Sequence, residues 1–181
     1  MTNGPKVDRR VRRTQKALQD ALSRLMIEHN YDDLTVAEIC MAADVGRSAF
    51  YVHYGGKDAL LRAAFAALKA DLLADGEVTI TGLCARFLAH ASRHRQLYRA
   101  MNHSQARTIT ATAVRTILEE HVLTEMNQIS PSGVSSALHA QVFVDLLLSV
   151  TYWWFDREPQ RPVAEIERMF TELAAGMLRA Q

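Results

Sequence analysis

Cysteine is scarce: Cys40 and Cys84 are the only two in 181 residues. Each lies among apolar residues at helical spacing, so they read as reduced thiols in a core, not as a disulfide framework, in a cytoplasmic protein. Net charge is scant as well, +1 at pH 7. The chain is no polycation, and affinity for nucleic acid has to rest on a local patch. Long hydrophobic runs are missing: the longest, residues 142–150, is broken by Asp145 and Ser149. Nothing near the start combines a basic flank, an apolar run and a small-residue cleavage site, so neither membrane spanning nor secretion is expected. Strand-like alternation is never sustained; Glu77-Val78-Thr79-Ile80-Thr81 comes nearest and is too short to found a sheet. Catalytic signatures are lacking too, with no Gly-x-Ser-x-Gly elbow, no phosphate-cradling Gly-rich loop and no His-Glu-x-x-His. Glu119-Glu120 reads more simply as a solvated helix face. An enzyme is the remotest reading, and no cofactor is expected. His90 and His94 are four apart and share a helix face as metal ligands do, but no third ligand stands at recognisable spacing, so no metal is expected.

What is there is helix. With 49% hydrophobic residues the chain has enough apolar side chains for a substantial core, as one compact unit or as a small head joined to a larger body. Val11, Leu18, Leu22, Leu25 and Met26 fall near the helical period and predict an amphipathic helix over 9–29, closed by His29-Asn30-Tyr31-Asp32-Asp33. Further helices are predicted over 57–75, 79–93, 95–101, 105–128, 134–156 and 162–180. The breaks between them fall at Asp75-Gly76, Asn102-His103-Ser104, Ile129-Ser130-Pro131-Ser132-Gly133 and Arg157 to Pro162. Pro162 suits a first helical position. The fold class is all-α, about nine helices in total.

The informative stretch is residues 35–61. Thr35 with Glu38 three residues on forms a capping box, and Val36, Ile39 and Cys40 follow at helical spacing. Asp44-Val45-Gly46 interrupts, glycine being able to turn the chain without a Cβ penalty, and Arg47 to Val52 resumes as a second short helix. Helix, short turn, helix is the pattern whose second helix enters the major groove of DNA. Upstream, Lys6, Arg9, Arg10, Arg12, Arg13 and Lys16 face Asp8 alone. That basic arm is either a phosphate or minor-groove contact or a solvated tail. Arg47, near the start of the second helix, is the candidate for bidentate pairing with guanine, or else for a phosphate. Ser48 and Ala49 are small enough for close approach to bases, Ala49 against a thymine methyl, or are mere spacers. Lys57 opens the next helix, where free N–H groups and the positive dipole end favour a phosphate. Thr35 either joins it through its hydroxyl or only caps. Phe50 and Tyr54 are assigned to the core of the head.

Phe50-Tyr51-Val52-His53-Tyr54-Gly55-Gly56-Lys57-Asp58-Ala59-Leu60-Leu61 resembles the segment that ends the recognition helix and opens the next one in TetR-family transcriptional regulators, and Val45 to Ala49 is similar to the start of that helix. The match covers about residues 8–61. It departs from the family pattern at Gly46, where a capping Ser is common, and at Tyr54, where Phe is common. The resemblance implies that Tyr51 and His53 contact phosphates, although a neutral His53 packed under the next helix is the plainer alternative.

The division predicted is an arm and helix-turn-helix domain over 1–56 and an effector-binding and dimerisation domain over 57–181, with residues 57–75 as linker helix. The helices over 134–156 and 162–180 are apolar in excess of what one core needs. Phe143, Leu147, Val150, Trp154, Ile166, Phe170, Leu173 and Met177 are the candidate homodimer interface, in keeping with the resemblance. Two heads then read half-sites on the order of 34 Å apart in double-stranded DNA, so a palindromic or near-palindromic operator is expected. The resemblance further implies a small-molecule effector in the body. Its candidate lining residues are His90, Tyr98, Met101, His121 and Trp153, each of which doubles as an ordinary packing residue. The expected function is therefore a transcriptional repressor released by an effector. The alternative is an adaptor whose body binds a protein and no small molecule.

Overall fold

The computed structural model describes residues 5–73, 79–129 and 136–178, apart from the side chains of 5–8, 67, 71, 120, 125–129, 136 and 176–178. The start of the basic arm, the Asp75-Gly76 break with Glu77-Val78 and the loop from Ser130 lie outside the described residues. Among those described, the regular structure is nine α-helices and one 3-10 turn, with no strand. No described helix is long and apolar enough to cross a membrane.

By compactness the chain forms two units, Met1–Phe65 with Ala100–Thr110, and Ala66–Arg99 with Ala111–Gln181. The first unit begins with α1 (Pro5–Glu28), four residues earlier than the period alone predicts. A proline in the first turn has no N–H to leave unpaired and a preset φ, so it extends the helix backwards. Leu18, Ala21, Leu22 and Met26 form its buried stripe. The turn expected at 29–33 is a 3-10 turn, Tyr31–Asp33, capped by the Asn30 side chain, which accepts from Asp32 N. The short helices α2 (Val36–Ala42) and α3 (Arg47–His53) follow, then α4 (Lys57–Leu72), which passes into the second unit at Ala66. Ile39, Cys40, Phe50, Tyr54 and Leu60 complete a core with the α1 stripe. Arg24 of α1 donates to Ala42 O at 2.9 Å.

The α2–α3 turn corrects one expectation. Gly46 has φ −63 and ψ 143, a conformation open to any residue, and it serves as the N-cap of α3. The positive φ, 52°, falls on Asp44, whose short polar side chain tolerates the left-handed region. A Cβ on Gly46 would meet nothing nearer than Ser48 Oγ at 3.9 Å, so neither space nor backbone demands glycine there.

The second unit takes in α5 (Ile80–Arg93), α8 (Ser136–Arg157) and α9 (Val163–Leu178), with most of α6 (Arg95–Met101) and α7 (Ala106–Ile129). Thr79 caps α5 by accepting from Gly82 N. Helix α5 packs on α8 and α9, and these two pack on each other. The Phe143 and Phe170 rings meet edge to face at 5.2 Å, and Trp154 stacks on Phe155 at 4.7 Å. Trp154 Nε1 donates to Arg161 O at 3.0 Å; Arg161 is in turn paired with Glu158 and with Glu165. The α8–α9 corner is thereby fastened, with Pro162 just outside α9 and not within it.

Of the predicted interface, Phe143, Leu147, Val150, Trp154, Ile166 and Phe170 are buried within their own chain, Trp154 completely. Apolar periodicity identifies which residues avoid water, but not which molecule shields them. Leu173 does face outward, 53% exposed; the side chain of Met177 lies outside those described. Among the described residues, the exposed large apolar ones of this helix pair are Leu138, Val142 and Trp153 on α8 with Leu173 on α9.

Candidate nucleic-acid interface

The head presents one helix from a rigid frame. Thr35 N and Oγ1 both donate to Glu38 Oε2, at 2.8 and 2.7 Å, and Glu38 N donates back to Thr35 Oγ1 at 3.3 Å. These bonds from Thr35 hold the Glu38 carboxyl below its ordinary range and close the capping box that starts α2. They also use the hydroxyl's one proton in the cap. Phe50 is fully buried behind α3, and its ring meets those of Tyr51 at 5.3 Å and Tyr54 at 5.7 Å.

With Phe50 locked inward, residues 47, 48, 51 and 52 turn to the opposite side of α3, since i, i+1, i+4 and i+5 share a helical face. Arg47 and Ser48 are exposed, and Tyr51 and Val52 are 57% and 78% exposed. Arg47 has no hydrogen-bond or ion-pair partner among the described residues, and its guanidinium is left to meet a ligand. Ala49 is half-buried at the edge of this face. His53 is half-buried too, its ring 6.2 Å from that of Tyr54, which is the packed position weighed against a phosphate contact. Sequence reasoning passed over Val52. Its signal was an apolar residue off the inward period, and a methyl pair exposed on this face is suited to a thymine methyl.

Lys57 departs furthest from expectation. Its ammonium donates to Tyr31 O at 2.8 Å, Asp32 O at 2.9 Å and Leu34 O at 2.9 Å, and lies 4.7 Å from the centre of the Tyr31 ring. An ammonium has three donors, and all three are taken, so in this structure Lys57 clamps the 3-10 turn to α4. Beside it the Tyr31 hydroxyl donates to Asp58. Burial first, and that bond second, push the phenol well above its ordinary range. Asp32 Oδ1 accepts from Gln105 N at 3.0 Å, joining Ala100–Thr110 to the same turn. The sequence does not show this clamp, because the partners of Lys57 are backbone carbonyls that carry no residue identity.

Of the candidate effector residues, His90 and Tyr98 meet, their rings 6.1 Å apart. Met101 belongs to the first unit, where its sulfur accepts from Thr110 Oγ1 at 3.3 Å. Tyr98 is buried in the second, edge-on to Phe87 and His90 and 5.9 Å from Phe155. His121 is half-buried on α7, and Trp153 is exposed on α8. Only His90 among the five lines a cleft of about 580 Å³, walled by Leu68 and Leu72 of α4, Arg86, Ala89, His90, Ser92 and Arg93 of α5, and Val163 of α9.

Residues 18–64 match the family model described as bacterial regulatory proteins, tetR family. Within the head the chain is 39% identical over 57 residues to an uncharacterised HTH-type transcriptional regulator, YxbF, of Bacillus subtilis strain 168. That stretch is 31% of this chain and 15% of the relative, so this chain spans a small part of the curated protein it matches. The fold is shared much more widely. A TetR transcriptional regulator from Streptococcus agalactiae 2603V superposes with a TM-score of 0.71 over 92% of this chain and 96% of its own, at 23% identity. The dihydroxyacetone kinase operon activator DhaS does so with a TM-score of 0.67 over 91% and 95%, at 16% identity.

Proposed function

We propose, from the match of residues 18–64 to the tetR family model and the shared fold, that the chain is a TetR-family regulator: a dimeric, sequence-specific DNA-binding transcriptional regulator, a repressor released when a small molecule binds the body. The observation that carries this is the outward face of α3. Arg47, Ser48, Tyr51 and Val52 stand exposed on a helix whose back is sealed by Phe50, an arrangement that suits reading base edges better than packing. Functionally the head is residues 1–56 and the body 57–181, with α4 continuous between them. Release requires the ligand to favour one state of the dimer over the other, because equal affinity for both shifts nothing.

Selection of bound fragments from the source genome tests the reading. A palindromic or near-palindromic site is expected, with log affinity falling linearly in log salt at a slope of roughly −0.9 per phosphate neutralised, and transcription from an overlapping promoter falling as protein is added. Weak binding indifferent to sequence would sink the proposal.

The dimer is assigned to the stripe that burial leaves open, Leu138, Val142 and Trp153 of α8 with Leu173 of α9. These positions face solvent, so Val142→Asp combined with Leu173→Asp is expected to leave the monomer folded. Breaking a buried hot spot costs about 2 kcal/mol or more, which raises the dimer dissociation constant at least about 30-fold and is read by sedimentation velocity. An unchanged dimer would move the interface elsewhere.

A further inference from the structure

Buried polar atoms in a folded protein are almost always hydrogen-bonded, because a buried donor without a partner has lost its water with nothing in its place. The second unit departs from this at Tyr98 on α6. Tyr98 is 4% exposed, and its hydroxyl is buried with no hydrogen-bond partner among the described residues. Trp154 Nε1 in the same unit is matched to Arg161 O, so the packing there does supply acceptors. What surrounds the Tyr98 ring is aromatic. Phe87 and His90 meet it edge to face, each at 6.1 Å, and Phe155 lies at 5.9 Å. A buried water is typically held by about three hydrogen bonds, and the two phenyl rings offer it none. Burial first, and the neighbouring Tyr152 second, push the phenol above its ordinary range, so it stays protonated at neutral pH and keeps its donor. His90 also lines the cleft of about 580 Å³, a volume within the range of small-molecule sites. One side chain therefore belongs both to the wall of the cleft and to the shell of a buried, unmatched donor.

We propose that the Tyr98 hydroxyl is the anchoring donor of the effector site, and that the effector is a neutral molecule that enters by the cleft past His90. It has an aromatic or hydrocarbon frame and one acceptor oxygen, as in a ketone, ester or ether. The frame follows from the rings of Phe87 and Phe155, which favour burial of apolar surface. The acceptor follows from the hydroxyl, which gains a bond that the described protein does not give it. The lack of charge follows from burial: an ion carried to Tyr98 loses its water and meets a single neutral donor, far from enough to compensate. That the ligand is the effector rests on the regulator reading; the site itself does not.

The test uses the full-length protein and three probes of similar size, acetophenone, ethylbenzene and benzoate, titrated by NMR. Acetophenone is expected to bind about three- to tenfold tighter than ethylbenzene, as one neutral hydrogen bond provides, and tighter than benzoate. Tyr98→Phe is expected to remove the preference, so that ketone and hydrocarbon bind alike, with ethylbenzene affinity unchanged. Phenylalanine keeps the ring and drops only the unmatched donor, so the Tm of this variant is expected to stay level or rise. Ala89→Trp, which narrows the cleft, is expected to weaken acetophenone and ethylbenzene together. The proposal is overturned if the wild-type protein binds ketone and hydrocarbon alike, if neither saturates in the millimolar range, or if benzoate binds tightest. It is equally overturned if Tyr98→Phe keeps the ketone preference or if Ala89→Trp binds both probes as before. A Tm lowered by several degrees in Tyr98→Phe overturns it too, since the hydroxyl then has its partner inside the fold. Operator binding by the same preparations is measured separately. Operator binding without the ketone preference overturns the Tyr98 assignment alone, whereas a ketone preference that Tyr98→Phe removes, without any operator, overturns the regulator reading and leaves the site standing.

Discussion

Arg47→Ala is expected to weaken operator binding by the dimer from about 30-fold to about 10⁴-fold while leaving the protein as stable as before. A bidentate arginine–guanine pair is worth about 1–3 kcal/mol of discrimination, and a two-fold symmetric dimer makes it twice. The side chain is exposed, so its removal leaves no cavity, and surface substitutions of this kind stay within about 0.5 kcal/mol in stability. Affinity measured against a panel of operators then separates two roles. If Arg47 reads a base, replacing one guanine in each half-site harms the wild-type protein and is invisible to the variant. If it holds a phosphate, the variant binds every operator less well by the same factor, and the salt slope falls by about 0.9 per protomer. Unchanged affinity would remove α3 from the interface altogether.

How far the sequence reached depends on what kind of partner each residue has. The all-α architecture, the capping box at Thr35 and the inward set of α3 were legible, because helical period and cap chemistry are local properties of neighbouring residues. Helix ends were less so: α1 runs back to Pro5 through an arm that reads as merely basic. The turn before α3 was placed correctly but explained by the wrong residue, since Gly46 is conspicuous in a sequence and Asp44 is not, yet Asp44 carries the positive φ. Burial was less legible: Trp154 and Phe143 are as apolar as Val142 and Trp153, and only the packing of α5, α8 and α9 decides which pair is buried and which is exposed. Aromatic, methionine and histidine residues on apolar helices are alike in sequence, yet Tyr98 is buried, His121 half-buried and Trp153 exposed.

Lys57→Met is expected to unfasten the head. Methionine keeps most of the side chain's length and apolar stem while removing all three donors, so the carbonyls of Tyr31, Asp32 and Leu34 lose the ammonium together. Hydrogen bonds to a charged group are worth about 1.5–3 kcal/mol each. Partial exposure at this site and the access of water to the freed carbonyls bring the total down to roughly 2–4 kcal/mol. For a chain of this size each kcal/mol moves Tm by about 2–4 °C, so a fall of several degrees is expected in thermal unfolding followed by circular dichroism. Lys57→Arg is expected to rescue only part of it, because a planar fork cannot direct donors to three carbonyls that converge on a point. Operator binding by the folded variant distinguishes a clamp from a phosphate contact. A clamp that is lost misplaces the start of α4 and the 3-10 turn, lowering affinity with the salt slope unchanged. A phosphate contact that is lost lowers the slope by about 0.9 per protomer and leaves Tm where it was. The three carbonyls around the ammonium argue for the first outcome, and an unchanged Tm with a shallower salt dependence would overturn it.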